Sequence, residues 1–450
     1  MRPPTEAFAR TLSEATVKAV RGASSAKTLS RRLVLAEVFE DPDGARAQAA
    51  AIKGHVLDHL GGYLREFERN AQAAGIHVHW AKDAASARSI IRELCGAATT
   101  IVKGKSMATE EIHLNPELIA AGHDVIETDL GEYVVQIDDD TPSHIVTPII
   151  HKDRYEVARS FEREQLGPYT EDPAELAQQA RRKLRSKFQS ATIGISGVNF
   201  AIASEGALVL VENEGNNRLS TTAPNTHIAV MGLEKLLPDF SSLPLFLRLL
   251  AASATGQRLT VYTHIIRGPR RSDEEDGPQT VHVVILDNGR SELLRGKYRD
   301  ILKCIRCGAC LNVCPVYRQI SGHGYRHTYS GPLGAVLAPG LEGLHAMGDL
   351  AKASTLCGAC EEVCPVQIPI PDMLLHLRDD GVRTGAVENP IPWNAFAAGA
   401  TSSGRWRAGL TFLPLASGLP NPISTAWKEF KELPEPDGTD FRKWWRNRTS

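Results

Sequence analysis

The apolar positions of this chain change period several times. Up to about residue 74 they recur at helical spacing. Ala- and Arg-rich stretches fill residues 1–60 with a break near Asp41-Pro42-Asp43-Gly44, and a longer amphipathic pattern covers 46–74 and stops at Gly75. Strand and helix textures then alternate. Ile76–Trp80, Thr99–Gly104, Asp124–Thr128 and Ser143–Ile150 read as strands, and 84–95, 107–121 and 152–164 read as helices. Strands alternating with helices predict a parallel α/β sheet. A polar helix over 173–188 follows. Its basic run reads as a solvated face, with docking of an acidic partner as the alternative. Strand patterns return at Ala191–Ile195, Phe200–Ala203, Gly206–Glu212, His227–Met231, Leu259–Ile266 and Val281–Asp287, interrupted by a helix over 241–254 and a charged loop, Arg267–Pro278. A helix over 291–303 leads into a cysteine-rich stretch. Beyond 380, Pro and Trp dominate, and five of the six Trp lie there (Trp393, Trp406, Trp427, Trp444, Trp445). The expected division is an α/β domain with a helical N-terminal extension over 1–290, a helical cysteine domain over 291–380, and an irregular, partly helical tail over 381–450 whose aromatics pack on the body or a partner.

Composition narrows the class. With 42% apolar and 23% charged residues, the 450-residue chain is globular rather than disordered. A net charge of −2 supplies no general drive toward nucleic acid or anionic membrane. No segment reaches the roughly 18 apolar residues of a membrane span; the best stretch, Leu243–Ala252, is broken by Arg248 and reads as a buried helix. Ser30-Arg31-Arg32-Leu33 faintly resembles a twin-arginine signal, but Glu37, Glu40, Asp41 and Asp43 stand where an apolar stretch is required. The expectation is a cytoplasmic protein, peripheral to a membrane only through partners.

The strongest signal is cysteine placement. Cys95 stands alone in a helical apolar pattern and reads as a core residue; the other seven cysteines fall between 304 and 364. Cys304-Ile-Arg-Cys307-Gly-Ala-Cys310-Leu-Asn-Val-Cys314-Pro315 is C-x2-C-x2-C-x3-C-P, the bacterial ferredoxin run, whose fourth Cys ligates the other cluster. Cys357-Gly-Ala-Cys360-Glu-Glu-Val-Cys364-Pro365 is a shortened copy. Each iron of a cubane wants one soft thiolate, and three thiolates at this spacing wrap one face of the cube. Small residues (Gly308, Ala309, Gly358, Ala359) let backbone approach it. The crossover rule gives Cys304, Cys307, Cys310 and Cys364 to a first cluster, and Cys314, Cys357 and Cys360 to a second. A complete second run would begin at 354, where the chain has Ser354. The second cluster therefore has three thiolates and one open question: a four-iron cluster cornered by Ser354 or water, a three-iron cluster, or an outside ligand. The reading favours a four-iron cluster with a weak corner. Zinc sites use separated C-x2-C pairs with four ligands per metal, which fits poorly. Disulfides are disfavoured without a secretion signal.

Weaker motifs sit in the α/β part. Lys103-Gly104-Lys105-Ser106, between a strand and a helix start, can hold a carboxylate or phosphate, although the glycine spacing of a Walker loop is absent. The bland reading is a turn with solvated lysines. Gly194-Ile-Ser-Gly197-Val-Asn199 can present backbone N–H groups to a ligand. Glu212 and Glu214, at the end of a strand, stand where open α/β sheets bind ligands, or are simple turn chemistry. His144 and His227 read as structural.

Together, Val102–Glu111, Glu127–Glu132, Gly197–Ala203, Glu212–Asn216, the segment Gly322–Val336 and the cysteine groups resemble the lactate utilisation protein B family, over roughly residues 30–430. The resemblance implies a lactate-utilisation (LUD) domain similar to the sugar-phosphate isomerase and CoA-transferase folds, a two-cluster ferredoxin domain and a C-terminal extension. It implies work with two partners, a cysteine-rich subunit like those of heterodisulfide reductase and a second LUD-domain protein, in oxidising L-lactate to pyruvate for growth. Ser354 departs from a complete dicluster pattern. Two other functions compete with electron transfer: an acyl- or carboxylate-handling enzyme using Glu212 or Glu214, with Lys103 and Lys105 holding the substrate anion, and a scaffold that joins the partners.

Overall fold

The computed structural model describes residues 13–387, 391–416 and 441–448. Residues up to Ala386 form one compact unit, so the α/β and cysteine-rich parts share a body; Val387–Ser450 is a second unit.

The first unit is built on two sheets. Six parallel strands, β1 (Ile76–Ala81), β2 (Thr100–Lys103), β3 (Asp124–Glu127), β4 (Ile193–Gly197), β7 (Thr226–Gly232) and β10 (Thr280–Leu286), lie in the order β1-β10-β7-β4-β2-β3. A second sheet, ordered β8-β5-β6-β9, is formed by β5 (Phe200–Ile202), β6 (Ala207–Glu212), β8 (Leu236–Leu237) and β9 (Tyr262–Ile266). The β5–β6 and β6–β9 pairs are antiparallel and β5–β8 is parallel. The central parallel strands are buried on both faces, which is why β7 reads as an apolar run rather than an alternation.

Helix Ala84–Cys95 shows how the local sequence acts. Asp83 accepts from the Ser86 N–H at 2.7 Å and Ser86 answers the Asp83 N–H, closing a capping box; Gly96 at φ +64° ends the helix. Ala87, Ile91 and Cys95, four residues apart, make its buried face, so Cys95 is core. Helix Leu243–Thr255 is mostly buried, with Phe246 and Leu249 fully enclosed and Arg248 exposed. Among the described residues no helix is long and apolar enough to cross a membrane.

Several expected elements differ. Ser143–Ile150 is not a strand. His144 Nδ1 accepts from the Val146 and Thr147 N–H groups at 3.0 and 3.1 Å, Pro148 has no N–H to give a ladder, and the run folds as a buried loop against the cysteine region. The helix expected over 107–121 divides at His113, which is left-handed at φ 50°. The pattern over 46–74 divides at His59, and that over 291–303 divides at Gly296. The tail, expected to be irregular and partly helical, is helical over Ile391–Ala400, Ser403–Ala416 and Phe441–Arg448 among its described residues. Trp406, Trp444 and Trp445, expected to pack on the body or on a partner, are about half exposed in the chain by itself, while Trp427 lies outside the described residues.

Candidate functional site

The two cysteine runs fold as copies of one turn. Arg306 (φ 62°) and Leu356 (φ 55°) are both left-handed, and each is followed by a Cys and then a left-handed Gly, Gly308 (φ 73°) and Gly358 (φ 84°), which opens a short helix. The Arg306 N–H donates to Cys304 Sγ at 3.3 Å, and the Leu356 N–H donates to Ser354 Oγ at 3.1 Å. Ser354 thus stands where the first run has Cys304, in the same hydrogen bond. The two glycines differ in one respect. A Cβ on Gly308 would sit 2.9 Å from His144 Cε1, whereas Gly358 faces open space. Gly308→Ala is expected to lower both melting temperature and iron content clearly, and Gly358→Ala to cost only the backbone strain of about 1 kcal/mol; thermal melts with iron counting compare them.

None of the seven thiols is in a disulfide. Cys304, Cys307, Cys310 and Cys364 line one small apolar cavity with Leu333, Ile368 and Ile370, so thiols from both runs meet there. Cys314 lies close enough to Cys357 and Cys360 for the three to repel one another as thiolates. Burial pushes Cys307 and Cys360 up to about 12 and Cys364 to about 11, with neighbouring thiolates adding to the rise. Such crowded, desolvated sulfurs are poor free thiolates and good soft-metal ligands. The buried Tyr325 hydroxyl beside Cys314 has no well-formed hydrogen bond, a donor suited to a cluster sulfide. The donor set fits two iron–sulfur clusters. Cys357 is exposed, and its thiol is lowered by the Ala359 N–H and by Thr355.

The N-terminal helices, which sequence reading left without a role, clamp this region. Arg31 donates to the Val363 carbonyl at 2.6 Å, and Arg46 donates to the Glu362 and Cys364 carbonyls at 2.6 and 3.0 Å.

The weak motifs of the α/β part converge on a cavity of about 270 Å³ at the carboxyl ends of β2, β4 and β7. That is where open parallel sheets bind ligands. Lys105, Gly197, Asn199, Glu212 and Glu214 all line it. Lys103 does not: it is fully buried, bonded to Glu127 at 2.6 Å and Glu110 at 3.2 Å, and held charged by those carboxylates despite its burial. Lys105 is itself paired with Glu132. Glu212 is occupied as well. It accepts from the Asn217 and Arg218 N–H groups at 2.7 and 2.9 Å, capping helix Asn216–Thr222, and from His264 at 2.6 Å. Glu214, at the mouth, is pushed up to about 7 by desolvation of its carboxyl and by Asp129. Asn199 Oδ1 accepts the Val211 N–H at 3.0 Å, and Gly197 leaves room for Ser106. His144 and His227 are neutral core groups, lowered to about 3 and 4 by burial.

Sequence reading missed the charged floor. Glu234 bonds Arg290 Nε at 2.8 Å and Arg306 Nη2 at 3.0 Å, and its carbonyl accepts from Lys53 at 2.5 Å. Arg290 also grips Glu111, which accepts from Tyr329 at 2.7 Å. Arg306 belongs to the first cysteine run, yet its side chain lines the α/β cavity and joins the two sites. No spacing marks these residues, because they come from six distant segments.

Residues 64–286 match the LUD domain, 300–368 a 4Fe-4S dicluster domain, and 366–450 the C-terminal region of lactate utilisation protein B. The lactate utilization protein B of Geobacillus sp. (strain WCH70) is 45% identical over 95% of this chain and 93% of its own, and that of Bacillus subtilis (strain 168) is 43% identical over 96% and 93%. The chain belongs to the lactate utilisation protein B family. An Escherichia coli K12 relative, described as an uncharacterized electron transport protein, YkgF, is 44% identical over 89% of this chain and 87% of its own. The family membership and the matched dicluster domain make this chain a two-cluster iron–sulfur protein of electron transport in lactate utilisation.

Proposed function

We propose that this member of the lactate utilisation protein B family relays electrons in a multi-protein system that oxidises L-lactate to pyruvate and supports growth on L-lactate. Its partners would be a cysteine-rich subunit like those of heterodisulfide reductase and a second LUD-domain protein. The observation that carries the reading is the meeting of Cys304, Cys307 and Cys310 with Cys364 in one cavity, beside the separate group of Cys314, Cys357 and Cys360. The first four would hold one 4Fe-4S cluster. The other three would hold the second, with Ser354 at its fourth corner, which the shared turn geometry supports. The clusters supply one-electron steps when bound. This chain's residues set the order of the relay. The first cage lies under the α/β cavity through Arg306, and the second reaches the surface at exposed Cys357, where a partner could dock. The six parallel strands are in keeping with the sugar-phosphate isomerase and CoA-transferase likeness of the α/β part. The place of action would be the cytoplasm, peripheral to a membrane only through partners.

Protein prepared without oxygen is expected to hold about eight irons per chain and to show two interacting paramagnetic centres on reduction. Its clusters should be reduced by L-lactate only when both partners are present. Zinc in place of iron, or clusters that stay oxidised in the complete system, would sink the proposal. The competing carboxylate-enzyme reading loses Glu212, whose oxygens are already taken, and rests on Glu214. Glu214→Gln should leave lactate-driven cluster reduction intact if the chain is a relay.

A further inference from the structure

Two stretches outside both the cavity and the cysteine cages meet where the α/β part touches the cysteine region. The loop between helices Leu130–Ile137 and Arg154–Arg163 carries Asp140 and His151, and the connector between the two cysteine runs carries His323. Tyr317 pins that loop in place, its hydroxyl donating to the Ser143 carbonyl at 2.7 Å. Asp140, His151 and His323 each bring one ligand atom to within 4.8 Å of the others. His151 Nε2 lies 2.9 Å from Asp140 Oδ2, and His323 Nε2 lies 3.5 Å from Asp140 Oδ1. The two imidazole rings are 4.6 Å apart and nearly perpendicular. Zinc bonds of about 2.0–2.1 Å at a tetrahedral angle put neighbouring ligand atoms about 3.3 Å apart. The two measured separations bracket that value.

We propose that Asp140, His151 and His323 bind one zinc-class divalent ion, completed by water, which staples the connector between the cysteine runs to the α/β part. The supporting contacts suit both rings to the task. His151 Nε2 donates to Asp140, and His323 Nε2 donates to the Thr141 carbonyl at 2.8 Å. A metal takes the place of both protons when each ring carries its hydrogen on Nδ1 instead. Ser143 Oγ lies 2.8 Å from His151 Nδ1 and can accept that hydrogen, turning its own toward the Pro148 carbonyl at 3.5 Å, and Ser321 Oγ faces His323 Nδ1 at 3.5 Å. Burial alone would raise the Asp140 carboxyl, but His151, Lys152 and the Thr141 N–H hold it well below the usual range, so it is ionised at neutral pH. Lys152 is the competitor, its ammonium 2.9 Å from Asp140 Oδ2. It also has Asp138 at 2.8 Å, and stays paired when Asp140 turns to a metal. Two imidazoles with one carboxylate select zinc over calcium and magnesium, which take oxygen ligands. Asp140 and His323 are about a quarter exposed, which gives the ion and its water a way in. The site shares no residue with the cysteine cages or the cavity, so it stands or falls apart from the relay.

The test is zinc titration of the full chain, prepared without oxygen and loaded with iron, with zinc and iron counted separately. One zinc per chain is expected beyond the iron of the clusters. Its X-ray absorption spectrum should show nitrogen and oxygen neighbours at about 2.0–2.1 Å and no sulfur at about 2.3 Å, which separates this ion from zinc caught on a cysteine. Calcium and magnesium at equal concentration should not displace it. His323→Ala should weaken zinc by about a hundredfold at unchanged iron content, and the rise in melting temperature that zinc gives the native chain should vanish with it. Asp140→Asn, which keeps the side-chain volume, should act alike and covers the case in which His323→Ala misfolds. Lys152→Met should tighten zinc by about three- to tenfold, because it releases Asp140 Oδ2; a cluster held together only by its own hydrogen bonds predicts no such gain. No zinc beyond that on cysteine sulfur, zinc indifferent to both His323→Ala and Asp140→Asn, or weaker zinc in Lys152→Met would each overturn the assignment.

Discussion

Cys364→Ala is expected to remove the first cluster and leave the second, so that iron falls from about eight to about four per chain. Cys364 closes the cavity that Cys304, Cys307 and Cys310 line, from the far side of the sequence. A methyl group at that corner offers iron no ligand atom, whereas a thiolate is a soft ligand. The position is also where the chain is clipped together. Arg46 holds the Cys364 carbonyl at 3.0 Å, and the Ile368 N–H donates to Cys364 Sγ at 3.4 Å. With the cluster gone, the two runs are no longer tied through metal, and the melting temperature should drop with the iron. Cys95→Ser, which alters a thiol in the sheet's core, should leave iron content untouched. Full iron retention in Cys364→Ala would refute the crossed assignment. So would loss of the second centre's signal in place of the first.

Glu234→Gln is expected to destabilise the chain by about 3–5 kcal/mol. Glu234 is 1% exposed and serves two guanidinium groups that are themselves enclosed. An amide keeps the volume and removes the charge, leaving Arg306 with no carboxylate and Arg290 with Glu111 alone. Breaking such a buried pair costs far more than the pair contributes over an apolar replacement, because desolvated charge is left uncompensated. Burial by itself would raise the Glu234 carboxyl, but Arg290 and then Arg306 outweigh it and hold it down at about 2. Since the folded value lies below the unfolded one, this stabilisation is present above the ordinary glutamate range and fades as pH falls toward 2. Denaturant melts at neutral pH and at pH 3 should therefore differ more for the native chain than for Glu234→Gln. Equal losses in both proteins would show that the network carries no such linkage.

The cysteine chemistry was legible because ligand spacing is local: three thiols within seven residues, closed by Cys-Pro, can be read without knowing the fold. The alternating texture of residues 76–128 and 193–286 was legible for the same reason, since strand and helix periods are properties of short windows. Where a side chain competed with the backbone, the window misled. His144 turned an apolar run into a loop, and a left-handed His113 divided a helix.

Charge bookkeeping was not legible at all. Lys103 and Lys105 lie two residues apart in one motif, yet one is sealed in the core and the other faces the cavity, because β2 ends at Lys103 and Lys105 lies in the turn before the Ser106 helix cap, where strand alternation no longer sets direction. Glu212, read as a ligand-site carboxylate or as turn chemistry, is a helix cap. The sequence alone determined the ferredoxin spacing of the cysteines, the alternation that makes a parallel sheet, and the family. Only the tertiary structure decided which charges cancel and which remain, and that Arg306 of the first cysteine run reaches the cavity at the sheet's edge. Pairing of buried charges depends on distances between segments far apart along the chain, and no local pattern encodes those distances.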